Sequence, residues 1–332
     1  MKAIVCTQYG HPLDVLQFKD IEKPTPTDNQ VLVKVQAASI NISDLAPIRG
    51  AFLARLLGTG LVKPRRTRIG ADLAGHVEAV GKNVTQFQPG DEVFGDASGS
   101  FAEYVCARED LLVLKPANVS FEEAASVGVA ATSALQGLRA GKIQPGQKVL
   151  INGASGAVGT FAVQIAKSFG TEVTAVCSPQ NLDNARSMGA DHVIDYTQED
   201  VTRNEQSYDL ILAVNGYHSI LGYKRALSPN GICVVLGGKL PQIFQTLLMG
   251  PLISKTRNRK IGFMGIAKLN HEDLVLLKEL LEAGKVKPVI DKRYPLSNTA
   301  EAVLYLEEGH AKGKVVIAVE GEIHDKSGKA RT

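Results

Sequence analysis

Short alternations of apolar and polar positions fill about the first 118 residues. Met1 to Thr7, Leu16 to Glu22 and Val31 to Ala38 alternate or carry β-branched side chains, and Gly10, Pro12, Pro24 and Pro26 interrupt them. Gly75 to Val80, Glu92 to Gly95, Phe101 to Ala107 and Leu111 to Leu114 continue the series between turns at Pro89-Gly90-Asp91 and Lys115-Pro116. Regularly spaced short strands predict an antiparallel, barrel-like domain. Near Ser120 the period changes. A helical stretch over Phe121 to Leu138 leads to Pro145-Gly146, and strands then alternate with helices. Strands are predicted at Lys148 to Asn152, Glu172 to Cys177, His192 to Ile194, Asp209 to Val214 and Ile232 to Leu236. Helices fall between them at Gly156 to Phe169 and around Leu182 to Met188. That order predicts a doubly wound parallel sheet, and the apolar run Leu210 to Val214 suits a strand covered on both faces. Helices at His271 to Ala283 and Thr299 to Glu308 and a strand at Lys314 to Val319 read as a return to the first domain. The expected domains are 1–120 with 263–320, and 121–262, followed by a polar tail over 321–332.

Composition narrows the class. Lys+Arg exceed Asp+Glu by only three, too weak a bias to argue for nucleic acid, and 44% hydrophobic residues mark a globular chain rather than a disordered one. No apolar run approaches the roughly 20 residues a membrane-spanning helix needs. The N-terminus lacks the long apolar core of a signal peptide. Cys6, Cys106, Cys177 and Cys233 lie far apart without a CxxC pair, so reduced thiols and a cytoplasmic location are expected. His76, His192 and His218 have no catalytic partner in sequence and read as structural or surface side chains.

The densest local signal is Lys148-Val-Leu-Ile-Asn-Gly153-Ala154-Ser155-Gly156-Ala157-Val158-Gly159, running into Thr160 to Lys167. A strand, a glycine-rich turn and an apolar helix stand in the order a dinucleotide needs. Gly153 permits the tight turn, Gly156 lets backbone N–H groups approach a pyrophosphate, and Gly159 lets the helix pack on the strand. The helix N-terminus adds partial positive charge. The spacing is GxxGxxG rather than GxGxxG, so a tight turn without a ligand stays open until the alternation that follows is counted. The end of the second parallel strand chooses between cofactors. NAD sites place Asp or Glu there on the ribose hydroxyls. This chain has Cys177-Ser178-Pro179-Gln180-Asn181, and Ser178 and Asn181 suit a 2′-phosphate that a carboxylate would repel. NADPH is therefore expected. No Arg or Lys adjoins Ser178, so His310, Lys312 or Lys314 is the expected counter-charge. Asn215 and Gly237 follow later parallel strands, where strand ends line the cofactor crevice.

Together these residues resemble the medium-chain dehydrogenase/reductase superfamily, in its zinc-free quinone oxidoreductase-like branch, from Met1 to about Val319. The markers are Met1-Lys-Ala-Ile-Val, Val31 to Asn41, Gly70-Ala-Asp-Leu-Ala-Gly75 to Gly81, Pro89 to Gly95, Gly189 to Tyr196 and Gly309 to Ile317. The resemblance implies an α/β fold: a Rossmann doubly wound parallel sheet plus a discontinuous, β-rich GroES-like catalytic domain. Zinc-dependent relatives place Cys where this chain has Asn41, and Gly-His-Glu where it reads Gly70-Ala71-Asp72. With two ligands replaced by an amide and a methyl, no metal site is expected.

What the resemblance then implies is hydride transfer to a small apolar electron acceptor, a quinone or an α,β-unsaturated carbonyl, with protonation from water. Asn41 is the expected catalytic residue, beside the nicotinamide; it also suits a cap for the turn into Ser43-Asp44, and the two roles are compatible. Thr132 matches a helix position near the nicotinamide or is a helix-buried hydroxyl. Tyr196 matches the tyrosine near the adenosine 2′-phosphate or is a core aromatic at a strand end. Departures are Asn181, where some relatives have Lys, and Gly309, where some have Arg. A homodimer through the edge strand of the nucleotide-binding domain follows by analogy. Residues 51–69 read as an apolar lid (Phe52, Leu53, Leu56, Leu57, Leu61, Val62), as a basic membrane-docking patch (Lys63, Arg65, Arg66, Arg68), or as a packed helix with a solvated loop. Lys255 to Lys260 reads as solvated loop. The alternative function is an NADPH-binding protein with a structural, RNA-binding or membrane-associated role.

Overall fold

The computed structural model describes residues 1–50, 59–216, 218–238, 240–256 and 259–319. They fall into two compact units. The first comprises the described residues of Met1–Val129, Leu269–Glu282 and Pro288–Thr332, and the second Ala130–Lys268 with Ala283–Lys287.

In the first unit, β1 (Lys2–Cys6) and β2 (Leu16–Asp20) form an antiparallel pair. β3 (Gln30–Ile40) is the longest strand and the hub of the main sheet, which also holds β4 (Asp72–Val80), β5 (Glu92–Asp96), β6 (Tyr104–Arg108) and β7 (Leu112–Leu114). In the second unit, β8 (Lys148–Asn152), β9 (Glu172–Cys177), β10 (His192–Asp195), β11 (Tyr208–Ala213), β12 (Leu227–Val235) and β13 (Lys260–Phe263) make a wholly parallel sheet. The chain then returns to the first unit with β14 (Ile290–Pro295) and β15 (Lys314–Ala318), which pair in parallel with each other. β15 runs antiparallel to β3.

The first sheet runs β14-β15-β3-β4-β5-β7, with β6 also pairing with β3. Irregular register at Leu32/Val33 and Val35/Ala37 bends β3 so that it can serve different partners along its length. Val31, Val33, Val35, Ala38, Leu73, Val77, Val105, Leu112, Val315 and Ile317 build one core from the inward positions of these strands. The second sheet runs β10-β9-β8-β11-β12-β13. Numbered from β8, that is 3-2-1-4-5-6, the Rossmann order, in which connections reverse direction beside the first strand and leave a crevice at the carboxyl ends. Leu150, Val176, Ile211, Ala213, Cys233 and Val235 fill its core.

The helix expected over Phe121 to Leu138 is two helices, Phe121–Ala125 and Gly128–Ala140. The restart has a cause. Asp72 accepts a 2.7 Å bond from the Val129 N–H, and a Cβ at Gly128 would lie 2.3 Å from the same carboxylate. A buried carboxylate of β4 thus accepts from the first turn of the second helix. β13, β14 and the helix Leu240–Thr256 went unanticipated by the hydrophobic pattern.

Candidate active site and nucleotide cradle

In the second unit, the turn after β8 behaves as the glycine spacing requires. Gly153 has φ +88°, and a Cβ there would meet the Asn215 backbone N at 2.8 Å. A Cβ on Gly159 would fall 2.1 Å from the Gly153 carbonyl oxygen, so the helix Ala157–Ser168 packs on the turn only with glycine at that position. At Gly156 the nearest atom to a Cβ is 4.0 Å away, which leaves that face of the turn open. The N–H groups of Gly153 and Ala154 both donate to the Val176 carbonyl, at 3.1 and 3.0 Å. These two donors are spent inside the sheet. Pyrophosphate binding would fall to the N–H groups from Ser155 through Ala157 and Val158.

At the carboxyl ends of the neighbouring strands, the Asn181 amide donates to Ser178 Oγ at 2.8 Å. Asn181 Oδ1 is buried without a partner. Tyr196 follows β10, its N–H donating to the Cys177 carbonyl, and its side chain is 58% exposed, so it is not the core aromatic. Asn215 is held by a 3.0 Å bond from Asn152 Nδ2 to its carbonyl, and Gly237 follows the end of β12. Thr132 is buried with its hydroxyl unpartnered. Orphaned buried polar atoms are rare in folded chains. A glycine cradle and two orphaned groups, at Asn181 and Thr132, fit a dinucleotide.

The first unit holds a second polar assembly, which strand register creates. β15 pairs Val315 with Ile40, and β4 pairs Asp72 with Ser39. Lys314, the pair Ser39–Asn41 and Asp72 therefore meet where β15 begins, β3 ends and β4 begins. Lys314 Nζ donates to Asn41 Oδ1 at 2.7 Å and to Asp72 Oδ2 at 3.0 Å. Asn41 Nδ2 donates to Asp72 Oδ2 at 2.9 Å, and Ser39 Oγ donates to that oxygen at 2.9 Å. Asp44 accepts from the Asn41 backbone N–H at 2.8 Å, so Asn41 opens the short turn Ile42–Asp44 as well as joining the cluster. Asp72 and Lys314 are 0% and 1% exposed. The expectation that Lys314 faces the adenosine phosphate is corrected here: its ammonium is buried and committed to Asn41 and Asp72. Asp72, Ser39 and Asp44 were missed as site residues. The available signals were a carboxylate opening the apolar start Asp72-Leu-Ala of a strand and a lone lysine opening the apolar run Lys314-Val-Val-Ile-Ala318.

Burial, reinforced by the Asp72 and Asp96 charges, pushes the Asp44 carboxyl up to about 7, against the Asn41 N–H and Lys314, which favour its anion. Burial and Asp72 likewise raise Asp96 to about 6, with Arg66 opposing. A carboxyl whose folded pKa lies above its unfolded value holds its proton more tightly in the native state. Its contribution to stability is thus greatest below about pH 4 and declines as pH rises toward 7. Asp44→Asn keeps an acceptor for the Asn41 N–H and removes the ionisation. Urea unfolding should show the wild-type losing on the order of 3 kcal/mol between pH 4 and 8 through this group. The Asp44→Asn variant should lack that part of the slope and keep the smaller decline due to Asp96; an unchanged slope counts against a buried, titrating Asp44.

Of residues 51–69, Phe52, Leu53, Leu56 and Leu57 lie outside the described residues. Leu61 and Val62 project into solvent at 71% and 87% exposure, and Arg66 donates to Ser98 Oγ at 3.0 Å. In the second basic run, Arg257 and Asn258 lie outside the described residues, and Lys260 opens β13. The 321–332 tail also lies outside them. Among the described residues, no helix is long and apolar enough to cross a membrane.

Residues 27–117 match the family of GroES-like domains of alcohol dehydrogenases, and residues 188–317 match a family described as zinc-binding dehydrogenase. The chain is 34% identical to an NADPH-dependent alkenal/one oxidoreductase, chloroplastic, of Arabidopsis thaliana, and 36% identical to a 2-methylene-furan-3-one reductase of Solanum lycopersicum. Each alignment covers 96% of this chain and 79% of the relative. A solved quinone oxidoreductase from Coxiella burnetii superposes with a TM-score of 0.84 at 31% identity, over 96% of this chain and 99% of that one. The chain belongs to the quinone oxidoreductase-like branch of the medium-chain dehydrogenase/reductase superfamily.

One of the matched family descriptions names zinc, and the donors here do not suit it. A zinc site needs anionic or imidazole donors converging on one point. At this position the chain offers an amide, Asn41, and a carboxylate, Asp72, whose inner oxygen is already bonded by the Lys314 ammonium. A divalent cation would have to sit beside that fixed positive charge. In this member of the quinone oxidoreductase-like branch, a lysine of the chain supplies the cation at the cluster.

Proposed function

We propose that the chain is an NADPH-dependent reductase that passes hydride to a quinone or an α,β-unsaturated carbonyl without zinc. The observation that carries this reading is the Asn41 amide, bonded to the Asp72 carboxylate and the Lys314 ammonium, in a chain whose relatives include a named NADPH-dependent alkenal/one oxidoreductase. A bound reduced nicotinamide would supply the hydride for reducing the acceptor, with water supplying the matching proton. Gly153, Ala154 and Gly159 would shape the turn, and the N–H groups of Ser155, Gly156, Ala157 and Val158 would hold the pyrophosphate. Ser178, Asn181 and Tyr196 receive the adenosine 2′-phosphate. Thr132, Asn215 and Gly237 border the nicotinamide half, and Asn41 donates to the reacting carbonyl oxygen. The absence of a carboxylate after β9 supports NADPH over NADH.

Purified protein treated with a chelator should oxidise NADPH with a panel of enones and quinones, and NADPH should bind at least about tenfold more tightly than NADH by nicotinamide fluorescence. Activity lost on chelation and regained with zinc overturns the metal-free mechanism, and equal affinities overturn the cofactor choice. Binding of NADPH with no turnover of any acceptor favours the non-catalytic alternative.

We also propose a homodimer and a cytoplasmic location. β13 is an edge strand, and the helix Leu240–Thr256 presents Phe244, Leu247, Leu248 and Leu252 to solvent at 55–71% exposure. The apolar stripe of this helix, which meets edge strand β13 through a 3.3 Å bond from the Ile261 N–H to Ser254 Oγ, is a surface that a second copy would cover. Sedimentation should report twice the 35.5 kDa chain mass. Leu248→Asp should shift it toward the monomer, and a monomeric wild-type overturns the assignment. Four free cysteines, three of them buried, support a reducing compartment.

A further inference from the structure

A buried ion pair is weak evidence for stability, because desolvation consumes much of the attraction. The Asp72–Lys314 pair nevertheless sits fully enclosed at the meeting point of β3, β4 and β15, and the group between them is the Asn41 amide. An amide's oxygen and nitrogen are nearly the same size, so packing alone does not choose between its two orientations. Charge does. As placed, Oδ1 receives the ammonium at 2.7 Å and Nδ2 donates to the carboxylate at 2.9 Å. Rotated by half a turn, the amide would set its N–H groups against the ammonium and its oxygen against the carboxylate. Both contacts would become repulsive in a low-dielectric setting.

We propose that Asp72 and Lys314 are positioning residues that lock the Asn41 amide with its oxygen turned inward, so that Asn41 meets an acceptor only as a hydrogen-bond donor through its second Nδ2 hydrogen. This rests on the reductase reading and deepens it. A donor-only amide selects acceptors that present a carbonyl oxygen, and its bond strengthens as hydride arrival places negative charge on that oxygen. Ser39 and the Val129 N–H serve the lock by holding Asp72 from its other sides.

The decisive measurement is a double-mutant cycle on enone reduction, with NADPH affinity followed in parallel. Asn41→Ala should lower kcat about 100-fold, the usual loss of one such donor. Lys314→Met should lower it by a similar factor. The double variant should fall within about threefold of Asn41→Ala alone, because Lys314 acts through the amide. NADPH affinity should move less than about threefold in Lys314→Met. A Lys314 loss that multiplies onto Asn41→Ala, or a tenfold loss of NADPH affinity, overturns the proposal. Should the methionine variant fail to fold, Lys314→Gln, a neutral donor, should show the same non-additivity with a smaller loss.

The amide can also be observed without turnover. Its side-chain N–H resonances, identified by their disappearance in Asn41→Ala, should shift in Lys314→Gln. A wild-type that reduces no enone or quinone removes the reductase reading, and these resonances then decide the lock alone. Unmoved resonances overturn it.

Discussion

Lys314→Met should cost about 3–5 kcal/mol of unfolding free energy at pH 7, more than the loss of any exposed ion pair among the described residues. The reason lies in what stays behind. Asp72 is fully buried and accepts from Lys314, Asn41 and Ser39 on one oxygen and from Val129 on the other. Removing the ammonium leaves a charged carboxylate in the interior with neutral donors only. Adding Asp72→Leu should recover part of the loss and not all of it, because the Val129 N–H then loses its carboxylate acceptor, while the single Ser39 hydroxyl hydrogen, shared with Asp72 in the wild type, turns to the Ala125 carbonyl at 2.7 Å. Exposed pairs such as Arg108–Asp110 or Arg186–Asp183 should cost under about 1 kcal/mol when broken. Denaturant titrations of the single and double variants test this. A single-variant loss below about 1 kcal/mol means that removing Lys314 leaves no costly unpaired buried charge, and the buried-charge account fails.

The parallel sheet was legible because each strand carries its own period and its own turn. Leu210 to Ala213 is apolar throughout, and the glycine turn punctuates β8 where the chain must reverse. Asn41 was legible through resemblance. Its partners were not, since Asp72 and Lys314 are separated by 242 positions and meet only through the registers of β3 with β4 and β15. No local pattern records such a meeting, and the lysine was accordingly assigned to a phosphate. The missed elements share a physical cause. β14 reads Ile-Asp-Lys-Arg-Tyr-Pro with no fully buried position, so no alternation marks it. The helix Leu240–Thr256 exposes Phe244, Leu247, Leu248 and Leu252 and contains Pro251, which hides the 3.6-residue period behind apolar residues on its outer face. A site that depends on long-range register is harder to read than a fold that depends on local period.

Two glycines of the cradle should respond to the same substitution to different degrees, one mainly in folding and the other mainly in binding. Helix propensity alone favours alanine at Gly159, inside the helix Ala157–Ser168, by about 1 kcal/mol. Sterics overrule it, because the added Cβ would lie 2.1 Å from the Gly153 carbonyl oxygen and 2.7 Å from the Ala154 Cα. Those are backbone atoms of the turn and cannot step aside as a flexible side chain would. Gly159→Ala should therefore destabilise the protein by roughly 1–3 kcal/mol and lower NADPH affinity by about 100-fold, as the helix moves off the turn. At Gly156 the nearest atom to a Cβ is 4.0 Å away, and φ is −78°, so alanine fits the free protein. The expected stability loss there is about 1 kcal/mol or less, the cost of alanine at a helix N-cap. NADPH affinity should still fall about tenfold or more, because the methyl group occupies the approach that a pyrophosphate needs. Melting temperatures and fluorescence titrations of the two variants separate folding from binding. Wild-type NADPH affinity in Gly156→Ala would show that no phosphate comes close to this turn, and the cradle would then be a packing device with no nucleotide in it.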